Sequence, residues 1–466
     1  LTARGTTRTA AENALAILRD TEPELHLRSV TLTAKDKICL CETRECTPEA
    51  CPYANGYYAR IKGALWDVLD VPCLTAETLQ EYAERHTVCP FELGLDSSLW
   101  SDVIIGDYNY LFDPVVHLVR FFESAGDYIF LVDEAHNLPG RAREMHSAAL
   151  TKTSFYEAKK LLGKGKSSLK NALTKVNDVF IEWRHRAEEE TAARDGRFGK
   201  TFFLKERSEE FDHLLNRLCE PLEAWLDDHR EPDETHTALL QLYFDVRAWL
   251  RVADTFDDHF VLQITASGSE VRAAQLCLDP SAFLADSFAL GRAAVLFSAT
   301  LAPASYYKDL CGVPEARAVA LRSPFPAGNQ GLFCIGNVST RYKDRDASLA
   351  IVEESLATMV RARCGNYLAF FPSYAYMEQA YAQFKEHCPE INCIKQENAM
   401  DEQQKAAFLA QFVPGPSQPL LGFAVMGGVF GEGVDLTGDR LIGVGIVGPG
   451  LPQVGPRQEQ LRDYFE

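Results

Sequence analysis

The sequence predicts an α/β chain of two or more domains, and three observations carry this. The chain has 466 residues, more than one hydrophobic core normally serves, and 46% of them are hydrophobic, enough for real cores. Apolar runs of strand length alternate with segments of helical period. Two of those runs end in chemistry-bearing residues: Tyr128-Ile129-Phe130-Leu131-Val132 leads into Asp133-Glu134-Ala135-His136, and Ala293-Ala294-Val295-Leu296-Phe297 leads into Ser298-Ala299-Thr300.

In chain order, Leu1-Thr2-Ala3-Arg4 reads as the tail of a strand and a turn, and Thr9 to Leu18 as a helix with Ala14, Ile17 and Leu18 on its apolar face. Cysteines then crowd together: Cys39, Cys41, Cys46, Cys51, Cys73 and Cys89. No secretion signal accompanies them, so metal ligation is favoured over a disulfide scaffold. The Cys46-x4-Cys51 spacing is looser than the tight pairs of common zinc modules, and four soft thiolates suit an iron-sulfur cubane. Zinc and unliganded thiols remain open on spacing alone. Cys73 lies in an apolar setting and reads as a buried thiol. Cys39 and Cys41, two residues apart, compete for one position. The favoured ligands are Cys39, Cys46, Cys51 and Cys89, the last two each followed by a proline that restricts the backbone.

Val103-Ile104-Ile105-Gly106 is a short strand, and the aromatics of Asp107-Tyr108-Asn109-Tyr110 either pack a sheet edge or line a nucleic-acid track. The run at 128–132 delivers Asp133 to the edge of a sheet. There Asp133 can hold magnesium through water and Glu134 can polarise an attacking water, although the same four residues can cap an ordinary helix. Residues 151–255 are helical in period. Their lysine run, Lys159, Lys160, Lys164, Lys166, Lys170 and Lys175, is a solvated helix face or a contact surface for phosphates. Strand character returns at Phe260-Val261-Leu262-Gln263. Ser298-Ala299-Thr300 either links a nucleotide site to a second site or caps the next helix.

Pro324 and Pro326 mark a boundary. Beyond it, Gly331-Leu332-Phe333-Cys334-Ile335 and Tyr367-Leu368-Ala369-Phe370-Phe371 read as buried strands, with helices over Ser348 to Arg363 and Tyr374 to His387, giving a second α/β domain. Its glycine-rich run Gly427-Gly428-Val429-Phe430-Gly431-Glu432-Gly433-Val434-Asp435 permits close backbone approach to a ligand, with Glu432 and Asp435 able to bind ribose or magnesium-linked water, or to cap a turn. A further strand is expected over 441–447.

The net charge of −19 argues against a surface coated for nucleic acid but leaves room for a local basic channel. No apolar run reaches the roughly 20 residues a membrane span requires, so a soluble, cytoplasmic protein is expected. No Gly-x-x-x-x-Gly-Lys-Ser/Thr loop occurs. The nearest imitation, Gly163-Lys164-Gly165-Lys166-Ser167-Ser168, has the wrong glycine spacing. The simplest account is that residues before Leu1 are missing.

The ordered set resembles the iron-sulfur DNA helicases of superfamily 2, the XPD and DinG group (Rad3-related), over nearly the whole chain. Residues 1–7 look like the strand-end segment that contacts DNA, and Ala34-Lys35-Asp36-Lys37-Ile38-Cys39 like the approach to the first cluster ligand. Asp133-Glu134-Ala135-His136 is similar to the Walker B motif, Ser298-Ala299-Thr300 to the coupling motif after it, Tyr367 to Tyr374 to the entry of the second motor domain, and 431–435 to a late motif at the ATP cleft. The resemblance implies two RecA-like helicase motor domains with an iron-sulfur insertion and a helical arch insertion. The implied boundaries are 1–38, 96–150 and 256–320 for the first motor domain, 39–95 for the iron-sulfur domain, 151–255 for the arch and 321–466 for the second motor domain. It implies a 4Fe-4S cluster on Cys39, Cys46, Cys51 and Cys89, magnesium on Asp133, water activation by Glu134 and coupling through His136. It places Gly431, Glu432, Gly433 and Asp435 at the nucleotide. It implies ATP-driven, 5′-to-3′ DNA unwinding, with single-stranded or forked DNA as the partner. The Walker A lysine and the terminal glutamine-glycine-arginine motif are not in this chain, so an incomplete, poorly active copy is expected. A noncatalytic iron-sulfur or zinc nucleic-acid-binding protein is the alternative.

Overall fold

In the computed structural model the first apolar runs form a parallel sheet. β1 (Ser29–Thr31) pairs in parallel with β2 (Cys73–Leu74) on one side and β3 (Val103–Ile105) on the other. All three residues of β1 are buried, and since successive side chains point to opposite faces, both faces of the sheet are covered there. Leu1 and Thr2 continue the array. Thr2 N donates to Gly106 O at 2.9 Å, Leu1 N to Leu131 O at 2.6 Å and Asp133 N to Leu1 O at 3.0 Å. They thereby join β3 to β4 (Ile129–Val132), the strand that ends in the acidic pair. Every residue is described except 3, 4, 166, 194–198, 232, 432, 433 and 452–454, and at 5–7, 191–193 and 402 only the backbone is. The first helix spans Gly5–Thr21.

Segment 39–95, expected as a separate iron-sulfur domain, contributes β2 to this sheet. Its helices Tyr57–Val68, Ala76–His86 and Pro90–Ser97 share a core with β1, built from Val30, Ile61, Ala64, Leu79, Ala83 and Leu93. A two-residue strand is too short to show a period, which is why sequence alone missed it.

After β4 the chain enters an insertion through β5 (Ala148–Thr151). With β6 (Lys200–Leu204), β7 (Phe260–Ser267) and β8 (Glu270–Cys277) it forms an antiparallel sheet in the order β5-β8-β7-β6. One face of this sheet packs against helices Lys152–Leu161, Ser168–Ala193, Glu209–Asp228 and Glu234–Asp254, around Phe155, Phe180, Phe211, Trp249, Leu262 and Ile264. Two expectations change here. The region 151–255 is not helical throughout, since it contains β6. Residues 260–277, expected in the first motor domain, pair with β5 and β6 instead. An apolar run does not reveal the direction of its partner. The turn did carry a signal: Gly268 and Ser269 form a two-residue hairpin loop between Ser267 and Glu270, with Gly268 at φ +60°.

A fragment spanning 147–278 is expected to fold alone, because this core is closed within the insertion. Its thermal melt should be cooperative and its tryptophan emission that of buried indole. A gradual, probe-dependent melt would show that the core needs the rest of the chain.

The other face of the antiparallel sheet carries Val261, Ala274 and Leu276, which pack with Leu461 and Tyr464 of the helix Pro456–Phe465. Tyr464 hydroxyl is hydrogen-bonded to His259 Nδ1, and Arg143 lies over the Phe465 ring. This helix, expected within the second motor domain, belongs to the first of two compact units, Leu1–Ala318 with Val454–Glu466; the second unit is Val319–Gln453. The chain leaves the insertion through the helix Ser281–Ala289 and reaches β9 (Ala293–Leu296), which pairs in parallel with β4.

The second unit has its own parallel sheet of β10 (Asn366–Phe371), β11 (Asn392–Lys395), β12 (Leu420–Val425) and β13 (Gly443–Ile446), ordered β11-β12-β10-β13. Helices Arg345–Ala362 and Tyr374–His387 pack on it around Leu356, Tyr376, Phe384 and Phe423. The run 331–335, expected as a buried strand, is not one: Leu332 is 87% and Phe333 91% exposed. An apolar run becomes a strand only where a sheet edge receives it. Among the described residues no helix is long and apolar enough to cross a membrane.

Candidate functional site

β4 and β9 run side by side with Val132 opposite Leu296, so Asp133-Glu134 and Ser298 leave the same end of the sheet. Phe297 N donates to Val132 O at 3.0 Å and Ala135 N to Phe297 O at 3.1 Å, which ties the two strand ends together. Glu134 takes up left-handed backbone, φ 48° and ψ 43°. That conformation costs a non-glycine residue about 1–3 kcal/mol and persists only where surroundings enforce it. The enforcing group is Tyr108. Its ring is fully buried, and its hydroxyl donates to both Asp133 O and Glu134 O, the latter at 3.0 Å. Burial, with the charges of Asp133 and Glu134 adding to it, pushes the phenol well above its usual range, so it remains a donor. The aromatics after β3 therefore pack, and Tyr108 braces the acidic turn, a role the sequence did not disclose.

The side chains close a small network. His136 Nδ1 is 2.8 Å from Ser298 Oγ, and Ser298 Oγ donates to Glu134 Oε2 at 3.0 Å. His136 Nδ1 also lies 3.3 Å from the same Glu134 oxygen. Ser298 Oγ further accepts from Thr300 N at 3.2 Å. With Nδ1 protonated, the hydrogen bonds run from His136 through Ser298 to Glu134, one direction along the chain. Asp133 Oδ1 accepts from Glu134 N at 2.8 Å. Burial raises the Asp133 carboxyl above its usual range; the donated N–H opposes this, and the Glu134 charge adds to the rise. Two adjacent carboxylates at a strand end offer hard oxygen donors of the kind magnesium takes.

Gly431 and Asp435 are exposed and belong to the second unit; Glu432 and Gly433 lie outside the described residues. Just before them, Gly427 at φ +71° follows β12, and the buried Gln396 receives Val425 N at 3.1 Å while donating to Tyr374 hydroxyl at 2.7 Å. Gln396 is thus a buried polar brace beneath the glycine turn that sequence did not single out.

Cys39, Cys41, Cys46, Cys51 and Cys89 all line one cavity of about 240 Å³, with Tyr53 and Tyr57. Cys41 Sγ and Cys51 Sγ are 3.8 Å apart. Burial, then the neighbouring Cys51, push the Cys41 thiol up to about 11. Among the described residues no three His, Cys, Asp or Glu side chains converge closely enough to hold a metal ion as they stand. The donor set fits a cluster in kind and in placement, five soft thiols on one cavity, without forming a closed ligand shell. Cys73 is not on the cavity wall.

The lysine run does not form one helix face. Lys159 and Lys160 end one helix, Lys170 and Lys175 belong to the next, Lys164 lies between them and Lys166 is outside the described residues. Lys170 Nζ is committed to carbonyls of the connecting turn, Gly163 O and Gly165 O.

Two family models match the chain, DEAD_2 over residues 21–155 and the Helicase C-terminal domain over 356–466, together more than half of it. The chain is 22% identical over 429 residues to the ATP-dependent DNA helicase CHL1 of Coccidioides immitis, covering 81% of this chain and 49% of that protein. It is 24% identical over 383 residues to the XPD helicase subunit of the general transcription and DNA repair factor IIH of Schizosaccharomyces pombe, covering 67% of this chain and 49% of that one. It thus spans about half the length of these curated relatives. A solved XPD helicase structure superposes with a TM-score of 0.53 at 17% identity, covering 94% of this chain and 74% of that one, a likeness of fold. With the acidic turn, the coupled serine and both family models in one order, the chain belongs to the XPD/Rad3-like helicases of superfamily 2.

Proposed function

We propose that this chain is motor machinery of an ATP-dependent DNA helicase of the iron-sulfur, 5′-to-3′ type. The observation that carries the reading is the Glu134–Ser298–His136 network between two adjacent strand ends. Asp133 would hold magnesium, which supplies charge neutralisation at the phosphates. Glu134 takes the proton from the attacking water at the carboxylate oxygen that Ser298 leaves available. His136 and Ser298 fix the orientation of that carboxylate, so a shift of either changes the base. Gly431, Glu432, Gly433 and Asp435 are assigned to nucleotide binding by their motif alone.

Cys39, Cys46, Cys51 and Cys89 are assigned as ligands of a 4Fe-4S cluster, which would cross-link the irregular segment 39–51 to the helix Pro90–Ser97. The partner is single-stranded or forked DNA.

The test uses the protein as its gene encodes it. ATP hydrolysis should rise on adding single-stranded DNA, and a fork with a 5′ tail should be unwound in preference to one with a 3′ tail. Anaerobically purified protein should carry about four iron and four sulfide per chain. DNA binding without any turnover would favour the noncatalytic alternative, and stoichiometric zinc without sulfide would remove the cluster.

A further inference from the structure

We propose that Cys41 is an interchangeable fifth ligand of the cluster site, able to stand in for Cys46. The inference rests on the iron-sulfur reading above and adds to it a thiol that reading leaves out.

The five cavity thiols are not equally fixed. Cys51 is buried, and its backbone is tied into turns: its N–H donates to Thr47 O at 2.9 Å, and its carbonyl accepts from Ala54 N at 3.2 Å and Asn55 N at 3.0 Å. Cys89 immediately precedes the helix Pro90–Ser97, and its carbonyl accepts from Leu93 N at 2.9 Å. These two are anchored. Cys39 closes the short helix Lys35–Ile38, its N–H donating to Lys35 O at 3.1 Å, so it is held as well, whereas Cys41 and Cys46 lie in the irregular stretch between that helix and Cys51. A cubane needs four thiolates, so one of Cys41 and Cys46 completes the set.

Cys46 is the exposed member, whereas Cys41 already lies 3.8 Å from the anchored Cys51 sulfur. A thiol in contact with an anchored ligand, on the same cavity wall, needs only local movement of an irregular segment to reach an iron. The chain between 41 and 46 has no helix or strand to oppose that movement. Both thiols are soft donors of the same kind, so exchange alters neither the charge nor the chemistry of the ligand set.

The experiment measures iron, acid-labile sulfide and visible absorption on anaerobically purified protein. It compares wild type with Cys41→Ser, Cys46→Ser, the double variant and Cys51→Ser, with circular dichroism reporting the fold. Each of the first two single variants should keep about four iron and four sulfide per chain, whereas the double variant and Cys51→Ser fall below about one with the fold retained. Loss of the cluster in either Cys41→Ser or Cys46→Ser alone would overturn the interchange, as would its retention in the double variant. A wild-type protein with zinc or no metal fails differently: it overturns the cluster reading itself before any variant is compared.

Discussion

Replacing Glu134 with Gln is expected to lower DNA-stimulated ATP turnover by about 10²–10⁴-fold, the usual contribution of a positioned base. The measurement belongs in the protein as its gene encodes it, with nucleotide and DNA binding followed alongside. Glutamine keeps the size of the side chain and can still accept from Ser298 Oγ, so the bracing by Tyr108 and the left-handed backbone should survive. What it cannot do is take a proton. Binding of nucleotide and DNA should therefore remain while kcat collapses. Ser298→Ala should act on the same step more gently, because it removes the hydroxyl that holds Glu134 Oε2 while leaving the proposed base in place. Turnover that survives Glu134→Gln would take the proton-accepting role away from this carboxylate.

The second large effect is structural. Trp249 is fully buried at the centre of the insertion, packs against Phe211 at 5.4 Å between ring centroids and donates from Nε1 to Asp212 Oδ1 at 2.8 Å. Trp249→Ala should destabilise the insertion by about 3–5 kcal/mol from the lost contacts and the cavity. Asp212 is itself buried, and its Oδ2 has no hydrogen-bond partner among the described residues. Burial raises its carboxyl above the usual range, and the tryptophan N–H only partly opposes this. The folded chain therefore holds the Asp212 proton more tightly than the unfolded chain does. Stability from this group is present at acid pH and is lost as pH rises through the raised folded value. Asp212→Asn keeps an acceptor for the indole and removes the charge, so it should stabilise the insertion at neutral pH, with the gain fading in acid. Hydrogen exchange of amides in the helices Glu209–Asp228 and Glu234–Asp254 reads the difference. An equal gain at both pH values would contradict the buried-charge account.

What could be read from sequence, and what could not, divides along physical lines. Strand-terminal acids after an apolar run are legible because composition and position coincide, and β4, β9 and β10 lie where their runs predict. The helix Tyr374–His387 was equally legible from its period. The bracing of that acidic turn was not, because Tyr108 lies 25 residues before Asp133 and only the pairing of β3, Leu1-Thr2 and β4 brings them together. The left-handed backbone at Glu134 was hidden for a related reason: a glutamate there breaks the local preference, and only tertiary contacts enforce it. The sheet partners of 260–277 were misjudged because apolar runs specify burial and not neighbours. The exposed run 331–335 shows the converse error, hydrophobicity taken for a strand.

The insertion enters on β5 and leaves on β8, and these strands are antiparallel neighbours, with Ala148 opposite Gln275 and Ser147 Oγ receiving Cys277 N at 3.0 Å. Its two ends therefore meet at one doorway. A change of length between them leaves the strand ends that hold Glu134 and Ser298 in place, provided the face of Val261, Ala274 and Leu276 still covers Leu461 and Tyr464. The insertion's helices can then be redesigned, provided its core stays filled, with the acidic turn left in place. A graft that replaces 149–276 with a short loop takes that face away and puts the first proviso to experiment.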